Sequence, residues 1–196
     1  WQVAPRSHES VYSMEDALAF GSLLLSLLNH ADRVKVGCLA QVVNVIAPIM
    51  TDPGGSAWRQ TIFYPFAQAS AYGRGTVLRT LVESSTYDAA NGEGFPHLKL
   101  AAVRSEDGAA LPLFALNRSA DERLALDLDL RSFGALEPAE WLVLRDDDLG
   151  AANTADRPDR VAPGTVEPVQ PDNGRVGLTL APASWNVLRF KVGERR

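Results

Sequence analysis

Few residues in this chain have a type and spacing that could do chemistry, and the most informative is a glutamine. Gln41 closes the short apolar run VKVGCLAQ, just before a second apolar run, VVNVIAPIM, and the turn-rich loop TDPGGSA. A primary amide at the end of a strand can donate and accept hydrogen bonds toward a ligand. It can equally satisfy nearby loop backbone, and the residues alone leave both readings open. The three histidines, His8, His30 and His97, lack metal-ligand spacing. His8 beside Glu9 suggests an acid–base pair, but no second histidine is near and a solvated loop pair explains it. Cys38 is the only cysteine, which excludes an internal disulfide. Within its apolar run it reads as a buried thiol, not a nucleophile. Asp146, Asp147 and Asp148 lack the alternating spacing of a calcium loop and read as solvated. Trp58, Phe63, Tyr64 and Phe66 could stack on a sugar, but aromatics at helical spacing more commonly belong to a core. Asn117-Arg118-Ser119 is a formal glycosylation sequon.

The elements that must position Gln41 follow from the pattern around it. Apolar strand, polar residue, loop and helix succeed one another from Val34 to Gly73, the order of a β/α unit in a parallel sheet. Ligands of such sheets sit at the carboxyl ends of the strands. Upstream, Ser13 with Asp16 three residues on forms an acidic capping box for a helix reaching about His30, apolar enough to be covered by other elements. Downstream, Trp58 opens a helix to about Tyr72, with Pro65 inside it and Gly73 as its stop.

After Gly75 the character changes. Short apolar or alternating runs, LALDLDL the clearest among them, are separated by turns such as Glu106-Asp107-Gly108 and Asp172-Asn173-Gly174, the pattern of an antiparallel sandwich. The segment from Asp146 to Asn173, rich in Asp, Pro and Gly, reads as an exposed excursion. A net charge of −5 and a pI near 5.2 argue against a nucleic-acid partner. No apolar run has the length of a membrane span. No cofactor-binding glycine loop or internal repeat is present.

The run HADRVKVGCLAQVVNVIAPIMTDPGG, continued by AWRQTIFYPF, ASAYGRG, FALNR and the closing SWNVLR, closely resembles the carboxyl-terminal third of family 51 α-L-arabinofuranosidases. The resemblance implies the end of a (β/α)8 TIM barrel over residues 1–75, followed by a jelly-roll β-sandwich over residues 76–196. It also implies that Gln41, the glutamine of the CLAQ-VN motif, contacts arabinose where cleavage occurs. Asn44 shares that motif without an implied contact. The family's reaction is retaining hydrolysis by two glutamates, one in a G-N-E motif and one in a D-E-W motif. Neither motif occurs here, so the chain is expected to lack the catalytic pair and to be inactive alone. Glu9, Asp52 and Glu83 match no catalytic position. The resemblance further implies a cytoplasmic bacterial enzyme that acts on arabinose-containing oligosaccharides and assembles as a hexamer, with the amino-terminal barrel portion as this chain's partner. No cofactor or metal is expected. The competing reading is a non-catalytic carbohydrate-binding or assembly module, which exposed coplanar aromatics on the sandwich would favour and burial of Trp141 and Trp185 would oppose.

Overall fold

The computed structural model describes residues 9–90 and 92–193. The chain opens with helix α1 (Met14–Asn29). Its start is fixed locally. The Ser13 hydroxyl accepts from the Asp16 amide, and the Asp16 carboxylate accepts from the Ser13 amide, at 3.3 and 2.8 Å. A short hairpin follows, β1 (Ile49–Thr51) and β2 (Ala57–Arg59), closed by the Pro-Gly-Gly turn in which Gly54 takes φ +70°. Helix α2 (Phe63–Tyr72) comes next. It starts later than the sequence pattern implies because Ala57–Arg59 pairs back on Ile49–Thr51. Pro65 therefore falls in the first turn, where its missing N–H costs nothing.

The remaining chain is almost entirely antiparallel β. It forms β3 (Thr76–Leu78), the hairpin β4 (Thr86–Ala89) and β5 (Gly92–Pro96), then β6 (Leu98–Arg104), β7 (Ala110–Asn117) and β8 (Leu124–Asp129). A 3₁₀ turn at Arg131–Phe133 leads to β9 (Leu136–Leu144), β10 (Gly164–Val166), β11 (Arg175–Leu180) and β12 (Ser184–Val192). The large sheet has the order β10-β9-β12-β7-β6-β3, and β11 pairs with β8 in a second sheet. The fold is thus mostly β, a sandwich with two helices on one side.

Strand composition follows from how many faces are covered. Along β7, every residue from Leu111 to Asn117 is buried. One face (Leu111, Leu113, Ala115) packs with Leu126, Leu128, Val176, Leu178 and Leu180 of the second sheet. The other (Phe114, Leu116) packs with Trp185, Val187 and, from the helices, Met14, Ala17, Leu25 and Tyr64. A strand covered on both sides reads as a continuous apolar run. Strands β8 and β11 are covered on one side only, so they alternate buried and exposed.

Two expectations fail here, and a third holds only in part. The barrel end is not present: the proposed eighth strand, Val34–Gln41, has no strand structure. A parallel strand exists only through hydrogen bonds to neighbours, and among the described residues no other segment lies beside it as a sheet. Cys38 is consequently exposed, not buried. The segment from Asp146 to Asn173 is not a simple excursion. It caps α1, since Met14 N–H donates to Ala151 O and Glu15 N–H to Leu149 O. Its buried Asn153 spans to Arg59 O and Val161 O, both at 2.9 Å.

Candidate functional site

The segment carrying Gln41 is an open loop with a firmly held base. Three of its residues, Gln41, Asn44 and Val45, adopt left-handed φ near +60°. For asparagine this is tolerated. For a β-branched valine it is strained by about 1–3 kcal/mol and persists only where the surroundings impose it. The surroundings are visible. Val45 O accepts from Ser10 N–H at 2.9 Å, Ile46 O from the Tyr12 hydroxyl at 3.0 Å, and Ala47 O from Gln60 Nε2 at 2.8 Å. Burial pushes the Tyr12 phenol above its ordinary pKa.

Gln60 is the hub. It is 1% exposed, donates also to Ser10 O at 3.1 Å, and accepts from Tyr12 N–H at 3.0 Å. Thr61, fully buried beside it, donates from its hydroxyl toward Tyr12 O and Ser13 O. Together they pin the base of the loop to the start of α1. Neither was marked by the sequence pattern. The available signal was a polar pair set in the apolar stretch WRQTIFYPF. Gln60→Leu keeps the bulk but leaves Tyr12 N–H, Ser10 O and Ala47 O without their partner. We expect a loss of about 3 kcal/mol, from buried polar groups at about 1–3 kcal/mol each, read as a lower melting temperature of the whole protein. A variant melting with the parent would show that these groups find other partners.

Gln41 itself is exposed. Its Oε1 accepts from Ile46 N–H at a long 3.4 Å, and its Nε2 has no partner among the described residues. Among the described residues it therefore serves loop backbone weakly and keeps a free donor. Beyond it, Val36, Val42 and Val43 are 79%, 69% and 47% exposed, an apolar surface that the described residues leave uncovered.

The other candidates have structural roles or stay apart. His8 lies outside the described residues. Asp146 binds Arg160 at 2.5 Å and accepts from Asp148 N–H, Asp147 pairs with Arg145, and Asp148 accepts from Gly150 N–H. Among the described residues no group of three or more His, Cys, Asp or Glu could hold a metal. Asn117 of the sequon is fully buried, donating to Glu122 O and Ala181 O. Trp141 and Trp185 are 8% and 0% exposed, with their indole N–H groups donated to Asn186 and Gln68. Their burial counts against a sugar-binding face built on the sandwich tryptophans.

Comparison with known proteins identifies the family and the fold. The sequence profile of the family described as alpha-L-arabinofuranosidase C-terminal domain matches residues 1–184. An intracellular exo-α-(1→5)-L-arabinofuranosidase of Streptomyces lividans is 50% identical over 190 residues, covering 96% of this chain and 28% of that protein. A protein of the same name from Halalkalibacterium halodurans is 46% identical over 190 residues, covering 97% of this chain and 38% of its own. Among solved structures, a family 51 α-L-arabinofuranosidase from Bifidobacterium longum superposes with a TM-score of 0.88 at 36% identity, over 97% of this chain and 37% of that one. The chain thus spans roughly a third of the length of these relatives.

Proposed function

The chain belongs to the alpha-L-arabinofuranosidase C-terminal domain family, and from that membership we propose that it is the carboxyl-terminal part of a retaining α-L-arabinofuranosidase. The whole protein removes terminal non-reducing α-L-arabinofuranosyl groups from arabinose-containing oligosaccharides. The observation that carries this reading is the extent of the match: the family profile spans residues 1–184 of the 196. The catalytic glutamates belong to the preceding portion of the whole protein. One protonates the leaving oxygen and the other attacks the anomeric carbon, at a carboxyl separation of about 5 Å. This chain supplies Gln41, whose Nε2, without a partner among the described residues, and lightly engaged Oε1 are offered to the arabinose hydroxyls.

The division of labour within the chain supports the same reading. Residues 1–75 carry the largely exposed run from Lys35 to Val43, which meets the amino-terminal portion, and the described part of residues 76–196 makes up the sandwich. The second sheet, β8 with β11, is much narrower than the six-stranded sheet it covers. A groove lined by Leu98, Leu100, Leu111, Leu113, Leu124 and Leu126 is left beside β8, with Leu81 92% exposed at its edge. The preceding portion completes that layer. An intracellular location and a hexameric assembly accompany the proposal, the first supported by the names of the relatives and the second by family resemblance.

Hydrolysis of an aryl α-L-arabinofuranoside tests it. The whole protein releases arabinose with retention of configuration, and residues 1–196 alone release none. A whole protein without arabinofuranosidase activity, or activity of residues 1–196 alone, overturns the proposal.

A further inference from the structure

We propose that Asn44 is a positioning residue for arabinose binding, setting the direction of Gln41 through a side-chain clamp on Thr51. The inference rests on the reading that Gln41 touches the sugar. Asn44 places its whole side chain on one partner. Its Oδ1 accepts from Thr51 N–H at 2.8 Å and from the Thr51 hydroxyl at 3.1 Å, while its Nδ2 donates to Thr51 Oγ1 at 2.9 Å. Its backbone closes the same loop, with Asn44 N–H donating to Ile49 O at 2.8 Å and Asn44 O accepting from Ala47 N–H at 3.0 Å.

The clamp matters because of what stands on either side of it. Thr51 belongs to the β1–β2 hairpin, which is anchored to the body through Gln60 N–H donating to Pro48 O and through the buried Met50. Gln41 stands only three residues before Asn44, and the stretch between them is exposed. Both residues take φ +60°. A change of backbone angle at Asn44 swings Gln41, and among the described residues only the single bridge between Val43 and Ile49, not a strand, lies between them. The Asn44–Thr51 contact, beside the parallel bridge between Val43 and Ile49, is thus the last side-chain anchor before the amide.

The experiment uses the whole enzyme and a double-mutant cycle. Asn44→Gly keeps the left-handed backbone accessible while removing the clamp. Thr51→Val approaches the clamp from the other side, removing the hydroxyl and leaving the backbone N–H. We expect each to lower kcat/KM on an aryl α-L-arabinofuranoside by about tenfold, the scale of a displaced binding group. In a Gln41→Ala background neither should lower it further. Asn44→Asp, which keeps the acceptor for Thr51, should recover most of the loss. Full additivity with Gln41→Ala, or no loss in either variant, overturns the proposal while leaving the Gln41 contact intact. A Gln41→Ala enzyme that matches the parent instead removes the reading on which it rests. If Asn44→Gly fails to fold, Thr51→Val carries the cycle alone.

Discussion

Replacing Gln41 by alanine in the whole enzyme is expected to lower kcat/KM on an aryl α-L-arabinofuranoside by about 10²-fold and to leave the melting temperature unchanged. The two parts of that expectation have separate causes. Gln41 is exposed and makes one long hydrogen bond, to Ile46 N–H at 3.4 Å. Substitution at such a position changes stability by no more than about 0.5 kcal/mol. Its contribution to activity is set by the place where its amide acts. A hydrogen bond equally strong in ground and transition states is worth about 0.5–1.5 kcal/mol, a loss of roughly 2- to 12-fold that appears in KM alone. One that strengthens as charge develops in a water-excluded site is worth about 2.7–4 kcal/mol and appears in kcat. The proposed contact with the sugar ring at the bond being cleaved would put Gln41 in the second class. Gln41→Glu separates the two halves of the amide, keeping an acceptor and removing the donor. A Gln41→Ala enzyme with unchanged kcat and KM would remove Gln41 from the site.

What the residues disclosed in advance, and what they hid, divides along local and non-local lines. Helix α1 was legible because its signal is local: Ser13 and Asp16 satisfy each other within four residues. The two kinds of strand were also legible, since LPLFALN and LALDLDL state by their patterning whether one face or two are covered. Val34–Gln41 carries the same kind of pattern and forms no strand, because a strand is a property of a pair. Trp58 read as the start of a helix and lies in β2, a pairing decided across the Asp52–Ser56 turn. The hub at Gln60 was hidden for the same reason. Its partners Ser10, Tyr12 and Ala47 lie 13 to 50 residues away, and nothing in WRQTIFYPF announces them. For the candidate site itself, the motif pointed to Gln41, while the Asn44–Thr51 clamp became visible only with coordinates.

The largest expected effect on stability lies where the helices meet the large sheet, at Trp185. This side chain is fully buried, its ring centroid lies 5.8 Å from that of Phe114, and its Nε1 donates to Gln68 Oε1 at 2.7 Å. It therefore joins β12, β7 and α2, and it also lies under α1, where Gly21 makes room for it. A Cβ built on Gly21 would stand 2.7 Å from Trp185 Cε3. Trp185→Ala removes the ring and leaves Gln68 without its donor, at about 3–5 kcal/mol, a drop in melting temperature of roughly 10 °C for a unit of this size. Gly21→Ala sets two effects against each other. Alanine gains about 1 kcal/mol over glycine within a helix. Overpacking costs about 1–3 kcal/mol where the neighbour cannot yield, and the hydrogen bond to Gln68 restrains this indole. The net expectation is destabilisation of about 1 kcal/mol. Trp185→Phe frees the space above Gly21, so in that background the helix gain should dominate and Gly21→Ala should raise the melting temperature. If Gly21→Ala stabilises the parent enzyme as well, the ring is free to move and the close packing of α1 on the sheet does not depend on that glycine.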